Sequence, residues 1–98
     1  MAKSKTISLS AVLDTHNGPL RELTLNEPKA RTFRRGEPFK IRNGGEIEWN
    51  NEIVLAFLQE MTGHDALVLD GLGAGDFLKA RNGLLELLVE EIGGPLEV

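Results

Sequence analysis

Four groups of residues in this 98-residue chain have types or spacings that could do chemistry. Gly71-Leu72-Gly73-Ala74-Gly75 opens a helix-like pattern, as a phosphate-cradling loop does. A dinucleotide fingerprint needs a buried strand before it and a βαβ unit around it, and neither is legible here. No lysine followed by serine or threonine comes after it, which removes the P-loop reading. The glycines read instead as a connector that permits a sharp reversal. His16 and His64 fall in separate turns beside Asp14 and Asp65, too few ligands for a zinc site. Asp65, Asp70 and Asp76 lack the spacing of a calcium loop. Ser4, Ser8 and Ser10 have no nucleophile elbow around them, and no spacing pairs an acid with a base for proton transfer. The chain is therefore read as non-enzymatic, with no catalytic residue, no cofactor and no metal.

The fourth group is basic. Lys29, Arg31, Arg34, Arg35, Lys40 and Arg42 are interleaved with Phe33 and Phe39, a pattern that can place arginines on phosphates and rings on bases. The net charge of −4 conceals a strong asymmetry. Through Arg42, nine basic residues face four acids, a net +5; after it, two face eleven, a net −9. The acidic remainder opposes nucleic-acid binding and favours a solvated face or contact with an acidic protein surface, including that of a second copy. Arg31, Arg34 and Arg35 are the candidate partner-binding residues of this segment.

The elements that must position these groups can be read from periodicity. Thr6 to Leu13 alternates, with Ile7, Leu9, Ala11 and Leu13 on one face. Leu20 to Leu25 alternates likewise and ends at Pro28, which cannot donate to a sheet. Asn17-Gly18-Pro19 is turn chemistry, and the loop from Asp14 to Pro19 predicts a loose antiparallel connection longer than a two-residue turn. Lys29 to Arg35 reads as a short helix stopped by Gly36. Phe39, Ile41 and Ile47 read as a short hairpin turning at Asn43-Gly44-Gly45.

Asn51 to Thr62 is the clearest helix, capped by Asn50 and stopped by Gly63. Trp49 is placed to staple onto Val54. Ile53, Val54, Phe57, Leu58 and Met61 form its apolar stripe. Asp65 to Asp70 predicts one helical turn. The last helix runs from about Asp76 to Glu91, with Phe77, Arg81, Leu84, Leu85 and Leu88 sharing a face that Leu78, Leu87 and Ile92 widen. Gly83 within it marks a close contact or a kink. The fold class is α+β: an N-terminal antiparallel β-hairpin packed against three to four α-helices.

Length implies a single domain over residues 1–98, with 93–98 as a flexible tail. A balance of 41% hydrophobic and 27% charged residues argues for a globular rather than disordered chain. With no cysteine, disulfides and thiolate metal sites are excluded. No apolar run suggests a signal peptide or a membrane span. Leucine is dense between Leu84 and Val89, enough to leave a partner surface beyond the core. The apolar stripes of the two long helices, around Phe57, Met61, Leu84, Leu85 and Leu88, are the candidate partner-binding surface.

The order of parts resembles the tail assembly chaperones of long-tailed bacteriophages, particularly the small family typical of contractile-tailed phages. The resemblance is carried by an N-terminal strand followed by Gly18-Pro19-Leu20-Arg21-Glu22-Leu23-Thr24-Leu25-Asn26-Glu27-Pro28. Lys29-Ala30 stands where the family usually has threonine-alanine. A helix ending in a T-G step follows at Leu55 to Gly63, then Leu67-Val68-Leu69 and Asp76-Phe77-Leu78 before the final helix. The similarity spans roughly residues 7–88. The L-T-L-x-E-P core is its distinctive part, and Arg34 to Glu48 departs from the pattern.

What the resemblance implies is a homo-oligomeric chaperone that binds the tape measure protein in the host bacterial cytoplasm during tail assembly. Such a protein is absent from the mature virion, and a frameshifted longer form can recruit the tail tube protein. The alternatives are a small nucleic-acid-binding module using residues 29–42, or a structural subunit that stays in the tail. No membrane partner is expected.

Overall fold

The structure, a computed structural model, describes residues 4–91, and the backbone alone for Glu90 and Glu91. Ile92, expected to widen the apolar face of the last helix, and the tail at 93–98 lie outside the described residues. The architecture is α+β, as the periodicity predicts. Strands β1 (Ser4–Thr15) and β2 (Gly18–Asn26) form an antiparallel hairpin. A 3-10 helix (Ala30–Arg35) follows, then a small antiparallel hairpin of β3 (Phe39–Ile41) and β4 (Ile47–Trp49). Helices α1 (Asn51–Thr62), α2 (Ala66–Asp70) and α3 (Ala74–Glu91) complete the chain.

β2 supplies the floor of the core. Leu23 and Leu25 are wholly buried, while Glu22, Thr24 and Asn26 between and beside them are exposed. This is the alternation expected of a ribbon covered on one face. Complete burial of one leucine contributes about 1.5–3 kcal/mol, so this pair is a substantial share of a small domain's cohesion. Above it lie Val54, Phe57, Leu58 and Met61 of α1, Leu69 of α2, and Ala80, Leu84 and Leu87 of α3.

Gly83 lies where α3 meets the hairpin. A Cβ there would lie 3.0 Å from both Ile7 Cδ1 and Leu25 Cδ1. The glycine is a close contact, as one reading of the sequence has it, made with the strands.

The hairpin differs from expectation in two respects. Its turn is tight: β1 runs to Thr15 and β2 starts at Gly18, leaving only His16 and Asn17 between them. Gly18 takes φ of 108°, so His16 and Asn17 keep negative φ. Thr15 Oγ1 closes the turn, donating to Gly18 O at 2.8 Å and accepting from Asn17 N at 3.1 Å.

Second, β1 does not alternate evenly. Ser8 pairs with Glu22 but Leu13 pairs with Leu20, so four residues, Leu9 to Val12, stand opposite Arg21 alone. The resulting bulge turns Ala11 outward, and only Ile7, Leu9 and Leu13 of the four predicted inward residues are partly buried.

The helix caps follow their sequence signals. Asn50 Oδ1 accepts from Ile53 N at 3.3 Å, and Asp65 Oδ1 from Val68 N at 3.1 Å. Gly63 is left-handed at φ 79° and returns its N–H to Gln59 O. α3 begins two residues before the predicted start. Trp49 belongs to β4, where its ring meets Phe39 edge-on at 5.2 Å. Leu78, assigned to the inner face of α3, is 48% exposed.

Candidate functional site

The apolar client face expected at Phe57, Met61, Leu84, Leu85 and Leu88 does not lie open. Phe57, Met61 and Leu84 are core residues with essentially no accessible surface. Helical stripes at this spacing meet the strands and each other, so in one subunit they cannot also cover a client. Leu85 and Leu88 are half-buried, with Leu88 packed against the core margin. The apolar surface that does face solvent is distributed differently: Val12 on the bulge, Phe33 on the 3-10 helix, Ile41 and Ile47 across the small hairpin, Leu67 on α2 and Leu78 on α3. Leu78 stands at the edge of the apolar face that periodicity assigns to α3; the others lie in short or irregular elements, where periodicity says little.

The 3-10 helix packs on the outer side of α1 through Phe33, whose ring meets Phe57 edge-on at 4.8 Å between centres. Thr32 is buried beneath it, its hydroxyl 3.4 Å from Glu60 Oε1. This seats Arg31, Arg34 and Arg35 around one open depression of about 340 Å³, which Thr32 and Glu60 also line. The three arginines named from the sequence thus lie around one depression. Arg31 is engaged by Glu60, Nε to Oε1 at 3.2 Å, in an exposed pair. No side-chain hydrogen bond or ion pair joins Arg34 or Arg35 to another described residue. Lys40 and Arg42 are on the β3–β4 hairpin, where Arg42 forms a 2.9 Å pair with Glu48. A second open depression, of about 670 Å³, runs along Asn26 to Arg31 and Glu60. The carboxylate in both depressions works against an extended phosphate backbone there.

The strongest polar constellation is built on Asp76, which the sequence marks only as the start of the last helix. Asp76, in the first turn of α3, is buried. Its two carboxylate oxygens accept from Ser10 N at 2.9 and 3.1 Å. One turn on, Lys79 Nζ donates to Ser8 O at 2.9 Å and lies 3.6 Å from Asp76 Oδ1. The Ser10 amide, supported by Ala11 and the Lys79 charge, holds the Asp76 carboxyl below its ordinary 3.8 against the opposing effect of burial. This is a structural clamp: it supplies the partners that the bulge removes from β1.

It also bears on the glycine run. Gly71 ends α2 against Leu13, Gly75 lies inside α3, and the α3 N-terminus already holds a carboxylate. An incoming phosphate would meet a negative charge at that helix end. Among the described residues no group of three or more histidine, aspartate or glutamate side chains is gathered for a metal. No described helix is long and apolar enough to cross a membrane.

The end of β2 and the end of α1 touch one another. Asn26, next to the L-T-L run, donates from Nδ2 to Met61 O at 3.2 Å. That carbonyl precedes the T-G step, where Thr62 Oγ1 donates to Leu58 O at 2.7 Å and accepts from His64 N. Comparison with known proteins returned no matching family model, no matching curated protein and no matching solved structure.

Proposed function

We propose that this chain is a phage or prophage tail assembly chaperone that binds the tape measure protein during tail assembly and performs no catalysis. One observation carries the reading. The residues through which the chain resembles that family are also the joints of this fold. Leu23 and Leu25 form the buried floor, Asn26 ties it to the T-G end of α1, and Asp76 fastens the last helix to the first strand. What supports the reading is that the motif residues carry packing roles in this chain rather than lying scattered over its surface.

In this reading the client is a long helical protein, met by a shape-tolerant apolar surface. With Phe57, Met61 and Leu84 committed to the core, the contact falls to the exposed residues Phe33, Ile41, Ile47 and Leu67, with Leu85 and Leu88 at the margin. Co-expression with a phage tape measure protein tests it. Co-purification and a gain in client solubility are expected, and both weaken on Leu67→Glu or Ile41→Glu. A client that stays insoluble and does not co-purify removes the proposal. The inventory of proteins in mature particles separates this role from that of a resident tail subunit.

A further inference from the structure

The β3–β4 hairpin is attached to the body differently from every other element. Its ladder is three residue pairs, Phe39–Trp49, Lys40–Glu48 and Ile41–Ile47, too short to persist alone. Trp49 is its only residue packed against the core cluster. Ile41 and Ile47, on the same face as Phe39 and Trp49, extend past the body and are 46% and 36% exposed. At its base, Asn50 N donates to Pro38 O at 2.9 Å. The chain enters through Gly36, at φ 125°, and leaves through Asn50, which is already the extended cap of α1.

Arg81 of α3 spans that exit. Its guanidinium carbon is 4.3 Å from the centre of the Trp49 ring. Its Nη1 donates to Asn51 Oδ1 at 3.0 Å. One side chain therefore grips the last residue of β4 and the first residue of α1, on either side of Asn50.

We propose that β3–β4 is a flap, hinged at Gly36 and Asn50 and latched shut by Arg81, which opens as a unit while the rest of the molecule stays folded. Opening takes the indole out from under the guanidinium and wets it. Once free of the body, the flap's own three-pair ladder no longer persists, so the Arg42 amide, bonded to Glu46 O at 2.8 Å in the closed state, exchanges through the same opening. Arg81 is a positioning residue that sets how often the flap is open. The inference rests on the fold alone and stands or falls independently of the chaperone reading.

Trp49 is the only tryptophan, so its fluorescence reports the flap directly. In the full chain, Arg81→Met keeps the apolar stem and removes the cation. The expected result is about tenfold faster hydrogen exchange at the Arg42 and Asn50 amides, following the usual strength of a cation–π contact. Acrylamide quenching of Trp49 rises in parallel, while Leu23, Leu25 and Leu58 amides keep their protection. Arg81→Lys, which retains the charge, falls between the two.

Unchanged exchange at Arg42 and Asn50 in Arg81→Met overturns the latch. Exchange that rises equally in flap and core overturns the hinge. If the variants do not fold, the wild type decides. Flap amides must exchange through openings insensitive to low denaturant, whereas core amides respond to it. An identical denaturant response in both regions refutes the proposal.

Discussion

The two hairpins of this protein are made by the same rule and held by different means. β1–β2 is a long ribbon whose inner face is buried under α1 and α3, and whose one defect, the bulge at Leu9 to Val12, is gripped by Asp76 and Lys79. β3–β4 is a short ribbon with a comparable apolar face, yet only Trp49 reaches the core and one arginine fastens it. Pairing alone therefore says little about how firmly a ribbon is held. What distinguishes the two is how many side chains from distant elements complete them, since a ladder's hydrogen bonds add only a modest net stability.

Mutations can break or sharpen that contrast. The largest effect is expected in the long ribbon: Leu25→Ala destabilises by about 2–5 kcal/mol in urea unfolding, because the hole beneath Gly83 and α1 cannot close. Gly83→Val comes next, at about 1–3 kcal/mol, since the added methyls drive into Ile7 and Leu25.

Asp76→Asn tests the clamp through pH. The folded carboxyl sits below its ordinary 3.8, so its contribution is complete above that value and is lost as pH falls through the lower native pKa. The gap in urea midpoint between wild type and Asp76→Asn is expected to be constant from neutral pH to about pH 5 and to close below 3.8. A gap that persists in strong acid would show that the charge is not what grips the bulge. The smallest effect belongs to the short ribbon, where Ile47→Ser changes global stability by less than about 0.5 kcal/mol. A loss there as large as that of Leu25→Ala would erase the distinction between the hairpins.

How far the sequence could be read depends on the range of the forces involved. Local signals were legible: the alternation of Leu23 and Leu25, the Asn50 cap and the Gly63 stop each act within a few residues. The bulge was not, because it is stabilised by Asp76, 66 residues away, and in the sequence that aspartate looks like an ordinary helix-start charge. Gly18 and Pro19 looked like loop residues because turn composition does not say where pairing resumes. Arg81 fell on the apolar stripe of α3 by spacing, and nothing local shows that its partner is a tryptophan on a separate hairpin.

The intended client face failed for a related reason. Phe57, Met61 and Leu84 have the periodicity of a greasy surface, but periodicity cannot distinguish a surface that awaits a partner from one already used within the subunit. The three arginines of the 3-10 helix were legible because they are neighbours in the chain.

The links from Ser8 and Ser10 to Lys79 and Asp76 also bear on the order of synthesis. The ribosome delivers β1 and β2 first and α3 last among the described elements. At about 5–20 residues per second, the leucines of β2 wait several seconds for the helix that roofs them. During translation the nascent hairpin is an uncovered, adhesive ribbon, and native closure of the domain is necessarily late.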